Sequence, residues 1–487
     1  MKLLVTGSLL CAVSAAALEA QTLTTLVNFD GQNGGQPDNA LVQATDGNLY
    51  GTTSHGGGQA GGTIFRINPA GQLTTLYSFC SQAQCADGNS PDAPLVQGAN
   101  GDLYGATLVG GDSTGCGTGC GVIFKITLSG IESTVYTFCH AGPPCIDGDA
   151  PYGLVLAGDG SLYGTTGYGG AGSDCENGCG TLFRITEDGT LTTLHTFTLE
   201  EGSDPRAALI QTANGDLYGT ATGGGHSGSG SVFKSTPAGD VTPLHIFCSE
   251  IYCVDGKFPS GSLVQAADGN LYGITGFGGR YGVGTVFRIT PGGSLTTLHN
   301  FCAKGPPLCD DGSAYLPYSA LVRATDGNLY GTTQSGGTGK VGTIFKITLD
   351  GTLTTIFDFC VGGHCTDGND PLGGMMQAPD GSFYGTTYGG GTGAVGTVFG
   401  LSMGLGPFVQ IQPAFGPVGA PVRILGTDLT GASGVTFNGI PAHFKVSSGA
   451  PVTEITTIVP AGATTGEVQV VTPGGTLSSN VPFQVLP

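Results

Sequence analysis

Short apolar segments alternate with polar turns along almost the whole chain. Segments such as Leu49–Thr53 and Thr63–Ile67 are four to seven residues long and rich in Val, Ile, Thr, Tyr and Phe. They are bounded by Gly, Pro, Asn and Asp, which is the composition of short β-strands joined by tight turns. No stretch beyond residue 20 keeps a 3.6-residue apolar period long enough for a helix. The pattern therefore predicts an all-β protein.

The segments recur as a unit of about 55 residues. Each unit holds an apolar run, an Asp-Gly turn before Leu-Tyr-Gly-Thr-Thr, a glycine-rich loop before Gly-Thr-Ile-Phe-Arg-Ile, and a final Leu-Thr-Thr-Leu segment. The tyrosine of the unit recurs as Tyr50, Tyr104, Tyr163, Tyr218, Tyr272, Tyr330 and Tyr384. Four short antiparallel strands repeated seven times are typical of β-propeller blades. A parallel β-solenoid is the alternative, but its repeats are normally shorter and lack four turns each.

The two ends of the repeat region complement one another. The seventh copy ends at Phe399 without a Leu-Thr-Thr-Leu segment, and that segment stands instead at the N-terminus as Thr22–Leu26. An open array has no use for this offset, whereas a ring needs it to complete the last blade. We therefore predict a seven-bladed β-propeller over residues 21–403, closed by the N-terminal strand.

The repeat pattern, DGNLYGTT followed by GTIFRI and LTTL, resembles the GloVer tandem repeat of bacterial exported proteins over about residues 21–400. This resemblance implies an exported protein, either secreted or associated with the cell surface, and implies no reaction. Residues 404–487 resemble the IPT/TIG immunoglobulin-like domain in the motifs Pro413–Gly416, Gly426–Leu429, Phe437–Gly439 and Val459–Gly462. The resemblance implies a small β-sandwich that acts as a spacer or an interaction module.

Composition and charge narrow the possible partners. Glycine accounts for 91 of 487 residues, charged residues for only 10%, and the formal net charge is −20. That balance argues against a nucleic-acid partner or an anionic membrane surface, both of which require clustered Lys and Arg. Residues 1–20 combine Lys2 with an apolar run and small residues, which predicts a cleaved signal peptide. An N-terminal membrane anchor is the alternative, but the run is short for a span. We expect a secreted or cell-surface monomer.

The fourteen cysteines beyond residue 20 form seven close pairs, which after an export signal indicate disulfides. Zinc is the competing interpretation, but it requires two pairs to converge, and we expect each pair to lie in a different repeat. The pairs are Cys80 with Cys85, Cys116 with Cys120, Cys139 with Cys145, Cys175 with Cys179, Cys248 with Cys253, Cys302 with Cys309 and Cys360 with Cys365.

Strand order predicts that all these pairs lie on one face of the propeller, together with the long loops, and this is the candidate ligand face. A carboxylate recurs there in an Asp-Gly-x-x-Pro element or its variants, as Asp87, Asp147, Glu201, Asp255, Asp311 and Asp367. Turn chemistry explains such carboxylates. A ring of calcium ligands is the alternative, although one carboxylate per blade is sparse for a calcium site. Arg280 and Tyr281 form the nearest approach to a specialised blade.

The repeated sequence suggests no catalytic constellation. His195, His245 and His299 occupy a strand position that other copies fill with Val, Tyr or Phe, so we interpret them as packing residues. The leading hypothesis is an exported, non-enzymatic binding or structural protein that presents the loop face to a protein or a glycan and requires no cofactor. A polysaccharide hydrolase or lyase on the same scaffold, by analogy of fold alone, and a calcium-dependent adhesin are the alternatives.

Overall fold

The computed structural model describes residues 21–112, 116–172, 174–225, 227–249, 251–305, 309–314, 320–447 and 453–486. The predicted signal peptide at residues 1–20 lies outside them. The described chain is all-β and consists mainly of four-stranded antiparallel sheets, with two short 3₁₀ turns at Ala83–Cys85 and Ile251–Cys253. No helix among the described residues is long and apolar enough to cross a membrane.

Each repeat forms one four-stranded sheet, numbered here 1 to 7 along the chain. Sheets 1 to 3 consist of Val42–Gln43, Leu49–Thr53, Thr63–Ile67 and Leu73–Ser78; Val96–Gln97, Leu103–Thr107, Val122–Ile126 and Glu132–Thr137; and Asp149–Leu156, Leu162–Tyr168, Thr181–Ile185 and Leu191–Thr196. Sheets 4 to 6 consist of Ile210–Gln211, Leu217–Ala221, Ser231–Ser235 and Val241–Ile246; Val264–Gln265, Leu271–Thr275, Thr285–Ile289 and Leu295–Asn300; and Val322–Arg323, Leu329–Thr333, Thr343–Ile347 and Leu353–Asp358. Sheet 7 consists of Met376–Gln377, Phe383–Thr387, Thr397–Ser402 and, from the N-terminus, Thr22–Asn28.

The N-terminal strand takes the position that the fourth strand has in the other sheets. It pairs antiparallel with Thr397–Ser402, and its register shifts between Thr25 and Val27. The third and fourth strands of sheet 1 show the corresponding irregularity between Ile64 and Phe65. A bulge of this kind bends the strand and increases its twist, so the N-terminal segment has the local form of a repeat strand.

Neighbouring sheets are joined by two recurring contacts. A phenylalanine after each fourth strand packs edge-to-face on a phenylalanine of the next sheet, and Phe29 makes this contact with Phe65 of sheet 1 at 5.2 Å between centroids. In several repeats a threonine of the second strand donates to a backbone carbonyl of the next repeat, as Thr220 Oγ1 does to Gly261 O at 3.2 Å. Thr386 Oγ1 of sheet 7 donates in the same way to Asn39 O of the first repeat at 3.1 Å. Sheet 7 therefore contacts the first repeat through the bonds that join the other sheets.

Residues beyond the repeats form two further four-stranded sheets and a short parallel pair. The first sheet has the order Gln410–Gln412, Pro421–Leu425, Glu454–Ile458 and Phe444–Val446; the second has Ile440–Pro441, Gly434–Phe437, Val468–Thr472 and Gly475–Ser478; the pair is Phe415–Pro417 with Gln484–Leu486. Residues of both sheets, among them Ile424, Val435, Ile455 and Val470, form one buried core. We refer to this unit as the C-terminal module.

Candidate functional site

The carboxylates singled out from the sequence close turns within their own repeats. Asp87 Oδ2 accepts hydrogen bonds from Tyr77 OH at 2.8 Å and from Ser81 N at 2.9 Å. Asp147 Oδ2 accepts from Tyr136 OH and Cys139 N, both at 2.9 Å. These bonds tie the disulfide loop to the fourth strand.

Histidine replaces tyrosine as the donor in the next three repeats. The Nε2 atoms of His195, His245 and His299 lie 3.0, 3.0 and 2.8 Å from carboxylate oxygens of Glu201, Asp255 and Asp311. Asp367 accepts instead from Cys360 N at 3.0 Å. Since every one of these carboxylates has donors in its own repeat, the contacts favour turn chemistry as their role.

Burial and hydrogen bonding compete at these carboxylates. Burial acts to raise the pKa of Asp255, but the hydrogen bonds from His245 and Ser249 outweigh it and hold the pKa below its usual range. The pKa of Asp311 is lowered in the same way, mainly by the hydrogen bond from His299 against the effect of burial. Both groups are therefore stabilised as carboxylates by the fold. The three histidines serve as hydrogen-bond donors as well as packing residues.

Arg280 and Tyr281 lie together at the surface of the loop in sheet 5. The Arg280 guanidinium carbon is 5.4 Å from the centroid of the Tyr281 ring. The backbone N–H of Arg280 donates to Asn300 Oδ1 at 2.7 Å, and Tyr281 OH donates to Ala303 O at 3.4 Å. These contacts hold the loop against the end of the fourth strand.

All seven predicted cysteine pairs are disulfide-bonded in the structure, and each bond closes a loop within a single repeat. The sequence separation of the bonded cysteines is four to seven residues, as the spacing of the pairs predicts. The bonds join Cys80 with Cys85, Cys116 with Cys120, Cys139 with Cys145, Cys175 with Cys179, Cys248 with Cys253, Cys302 with Cys309 and Cys360 with Cys365.

The expectation that each pair lies in a different repeat, so that no two pairs meet, is wrong for one repeat. Cys116–Cys120 and Cys139–Cys145 flank the same two strands, and their four sulfur atoms lie within 4.8 Å of one another. The loop between the second and third strands and the loop after the fourth strand therefore adjoin, as the predicted common face requires. As disulfides, these sulfurs lack the thiolates that would bind zinc.

A cavity that the sequence did not reveal lies where all seven repeats converge. It is small, about 60 Å³, and is lined by at least one residue from every repeat, including Asn39, Asp92, Tyr152, Arg206 and Ser260. We call it the central cavity. Among the described residues, five repeats place a polar or aromatic side chain directly after the loop proline, namely Asp38, Asp92, Tyr152, Arg206 and Ser260. Asp92, Tyr152, Arg206 and Ser260 line the cavity, and Asp38 interacts with Asp92. We call Asp38, Asp92, Tyr152 and Arg206 the rim residues.

The rim holds two carboxyl groups that interact with each other. Burial, the charge of Asp92 and a hydrogen bond between the two side chains raise the pKa of Asp38 well above its usual range. Burial also raises the pKa of Asp92, although hydrogen bonds from Asp38 and Asn39 and the nearby charge of Arg206 oppose the rise. Two close carboxyls cannot both ionise easily, so this pair retains a proton to higher pH than isolated carboxyls do.

Arg206 organises the opposite part of the rim. Its Nε donates to Asp204 Oδ2 at 2.6 Å, and its Nη2 lies 3.4 Å from Tyr168 OH. Its guanidinium carbon is 5.9 Å from the centroid of the Tyr152 ring. The second oxygen of Asp204, Oδ1, is buried and has no hydrogen-bond partner in the structure. The rim therefore offers carboxyl acceptors, a guanidinium donor and aromatic faces within one small region.

Sequence reasoning missed the rim because it followed the residues that recur. Every repeat presents a proline after its Asp-Gly element, and the residue before that proline has φ between 50° and 58° at Gln36, Ser90, Asp204 and Asp370. This left-handed turn recurs two residues before the rim position. The available signal was therefore variation at one register position, from Asp to Tyr, Arg and Ser.

The fold and its sites define an all-β tandem-repeat protein that is stapled by local disulfides and whose repeat sheets converge on one cavity. The sequence pattern of the Gloeobacter/Verrucomicrobia repeat matches residues 12–143, 114–313 and 308–437. The chain belongs to this repeat family. No curated protein sequence matches it.

Several solved structures are similar to this chain at low sequence identity. The extracellular domain of a protein named as a hybrid two-component system of Bacteroides thetaiotaomicron is 12% identical, with a TM-score of 0.49, over 96% of this chain and 54% of that one. A protein of Bacteroides fragilis named as a 6-phosphogluconolactonase is 18% identical, with a TM-score of 0.43, over 69% and 86%. A luciferin-regenerating enzyme is 13% identical, with a TM-score of 0.39, over 80% and 98%. At such identities none of these likenesses bears on what this chain binds.

Proposed function

We propose that the chain is an exported, seven-bladed β-propeller with an IPT/TIG-like module, and that it binds a glycan without transforming it. The contacts of sheet 7 with the first repeat support ring closure, since they reproduce the bonds between the other sheets. Seven disulfides indicate an oxidising compartment outside the cytosol, which agrees with a signal peptide at residues 1–20 and with a secreted or cell-surface location.

The observation that carries the binding proposal is the rim. Asp38, Asp92, Tyr152 and Arg206 occupy one register position that differs among otherwise similar repeats. Asp92, Tyr152 and Arg206 line the central cavity, and Asp38 interacts with Asp92. Carboxyl and guanidinium groups are complementary to the donors and acceptors of sugar hydroxyls, and tyrosine offers an apolar face to a pyranose ring. The rim lies among disulfide-stapled loops, which hold such groups in a preorganised arrangement.

A polysaccharide hydrolase is the second candidate function, and the Asp38–Asp92 pair is the observation that favours it. A carboxyl group that keeps its proton beside one that is ionised offers a general acid and a general base for hydrolysis. Binding and hydrolysis make different demands on this pair. A binding site uses both side chains for hydrogen bonding. A hydrolase also turns over its substrate, and this turnover should stop when either Asp38 or Asp92 is replaced by asparagine.

A glycan array probed with the mature protein, with and without EDTA, tests the proposal. We expect the mature protein to bind in EDTA as well as without it and to release no reducing ends. Asp92→Asn and Tyr152→Ala should each weaken this binding at least tenfold. Asp310→Asn is the matched control, because Asp310 belongs to a disulfide loop and its exposed carboxylate pairs with the surface residue Lys304. Wild-type binding by both rim variants would overturn the proposed site. Release of reducing ends by the wild type but not by Asp92→Asn would assign the hydrolase instead, and loss of binding in EDTA would assign a calcium-dependent adhesin.

A further inference from the structure

Sheet 7 departs from the other sheets at one position of its third strand. In sheets 1 to 6 the residue opposite the repeat tyrosine is a cation, and in sheet 7 it is Gly400. The pairs are Tyr50 with Arg66, Tyr104 with Lys125, Tyr163 with Arg184, Tyr218 with Lys234, Tyr272 with Arg288, Tyr330 with Lys346 and Tyr384 with Gly400. One repeat therefore lacks the positive charge that its six counterparts carry.

In two of the other repeats the cation forms an ion pair with the acidic turn next to the tyrosine. Lys234 Nζ is 2.6 Å from Asp216 Oδ2, and Arg184 Nη2 is 3.3 Å from Asp159 Oδ2. Sheet 7 keeps the acidic turn, since Tyr384 OH donates to Asp380 Oδ2 at 2.9 Å. The repeat tyrosines of sheets 1 to 6 are at most 1% exposed, whereas Tyr384 is partly exposed. In sheet 7 the Asp380 carboxylate and the Tyr384 hydroxyl therefore have no Lys or Arg opposite them in the strand pairing, because that position is Gly400.

A second departure in the same sheet leaves an acceptor unpaired. In other repeats a glutamine at the end of the first strand accepts a backbone N–H of the preceding sheet, as Gln97 Oε1 does from Thr45 N at 3.1 Å and Gln377 Oε1 from Thr325 N at 3.0 Å. For Gln43 the preceding sheet is sheet 7, and the residue at the position of Thr45 and Thr325 there is Pro379. Proline has no backbone N–H to donate. Gln43 Oε1 is accordingly buried without a hydrogen-bond partner.

The groups that the two departures leave without their usual partners, Tyr384 and Gln43, line one cleft between sheets 1 and 7 and the C-terminal module. Its volume is about 670 Å³, and its walls include Gln43, Asp46, Asp380, Tyr384 and Glu454. Hydrogen bonds hold the walls together, from Thr453 Oγ1 to Thr45 O at 2.8 Å and from Phe408 N to Pro379 O at 2.9 Å. Apolar side chains such as Leu26 and Ile67 line the rest, and no Lys or Arg is among its described lining residues.

We propose that this cleft binds a small organic cation, an ammonium or guanidinium group on an apolar stem. Its charged group would lie between Asp380 and Tyr384, where the other repeats hold their own Lys or Arg, and its further N–H groups would meet acceptors such as Gln43. The volume is that of a small-molecule site, and lining groups that accept hydrogen bonds and carry negative charge select a donor that carries positive charge. This site is separate from the rim, because the cleft lies at the tight turns and the rim lies among the disulfide loops.

Restoring the missing side chain is the sharpest test. A Cβ atom at Gly400 would lie 3.3 Å from Tyr384 Cε1 and 3.6 Å from Leu26 Cδ1, so a side chain there requires only a small adjustment. We expect isothermal titration with butylguanidinium and with hexylamine to show one site per chain in the wild type. Gly400→Arg should abolish that binding without lowering the melting temperature, and Asp380→Asn should weaken it at least tenfold.

Three comparisons decide the outcome. Lys346→Gly removes the equivalent cation from sheet 6, away from the cleft, and should leave the stoichiometry at one; a stoichiometry of two would show that the cleft is not needed and would overturn the proposal. Equal binding of neutral hexanol, or unchanged binding by Gly400→Arg, would also overturn it. A peptide with a central arginine that binds more than tenfold tighter than butylguanidinium would refute a small-molecule ligand in favour of a protein partner. None of these results depends on glycan binding at the rim, so the two proposals can fail separately.

Discussion

Replacing Phe29 by alanine asks whether the N-terminal strand belongs to the repeat core as fully as the other fourth strands do. Phe29 is completely buried, and its ring is 5.2 Å from that of Phe65 with an interplanar angle of 64°. Phe247 occupies the equivalent position within the continuous chain, 5.2 Å from Phe287 at 65°. The two sites are matched in burial and geometry, and they differ in that Phe29 directly follows a strand, Thr22–Asn28, that no covalent turn joins to its sheet.

The expected cost follows from that environment. Removing a buried phenylalanine side chain costs about 3–5 kcal/mol, because transfer free energy is lost and a cavity remains. The edge-to-face contact accounts for about 0.5–1.5 kcal/mol of this. Since Phe29 and Phe247 are equally buried, we expect Phe29→Ala and Phe247→Ala to lower the free energy of unfolding by amounts that agree within about 1 kcal/mol.

Urea unfolding of the disulfide-intact protein, followed by circular dichroism, measures both variants. Hydrogen exchange at the amides of Thr22–Asn28 then reports whether that strand opens on its own. A cost below about 1 kcal/mol for Phe29→Ala, beside the full cost for Phe247→Ala, would refute the reasoning. It would mean that the N-terminal strand separates from sheet 7 before the rest of the protein unfolds, so that closure adds nothing to the cooperative core.

Three further predictions concern buried charge and the disulfide loops. Burial raises the pKa of Glu132 to about 7, at a position that other repeats fill with Leu or Val, so Glu132→Leu should stabilise the protein by about 1–2 kcal/mol at pH 8. The gain should shrink as the pH falls from about 7 towards 4, because the carboxyl is then protonated in the folded state and becomes protonated in the unfolded state as well. A pH-independent gain in urea unfolding would contradict this cause. His245→Phe removes a hydrogen bond that lowers the pKa of Asp255. Because a lowered carboxyl pKa contributes stability that is lost as the pH falls below about 4, acid unfolding of this variant, followed by circular dichroism, should begin at higher pH than in the wild type. An unchanged midpoint of acid unfolding would count against this role of His245. Replacing both Cys248 and Cys253 by serine should cost about 2 kcal/mol in urea unfolding, the loop entropy of a short closure, and no loss would show that the loop is ordered without its disulfide.

The repeat strands could be predicted because the sequence marks both their interiors and their ends. Val, Ile, Thr and aromatic residues fill the strands, while Gly, Pro, Asn and Asp mark the turns. The pairing of Thr22–Asn28 with Thr397–Ser402 was predictable for a different reason, namely that the seventh copy lacks one segment and the N-terminus has one to spare. In both cases the evidence is local in sequence or comes from counting copies.

The candidate sites could not be predicted in the same way, because they depend on which side chains from distant repeats converge. Asp92 and Arg206 are 114 positions apart and come together only through the arrangement of whole sheets around the central cavity. The recurring carboxylates drew attention in the sequence, yet the hydrogen bonds of Asp87 and Asp255 are made within their own loops. The proximity of two disulfides in one repeat also depended on how loops at the same ends of the strands pack.

Internal symmetry offers a physical criterion for separating structural from functional residues in this chain. A contact made in every sheet, such as a phenylalanine pair between neighbours, serves the scaffold, because the same geometry recurs whatever the loops do. Departures at Asp92 and Arg206 on one side, and at Pro379 and Gly400 on the other, leave the backbone register intact while changing the chemistry offered to a ligand. If the two groups form independent sites, Asp92→Asn should leave butylguanidinium binding unchanged and Gly400→Arg should leave glycan binding unchanged. Reciprocal effects in both titrations would instead require a coupling free energy carried through the repeat sheets.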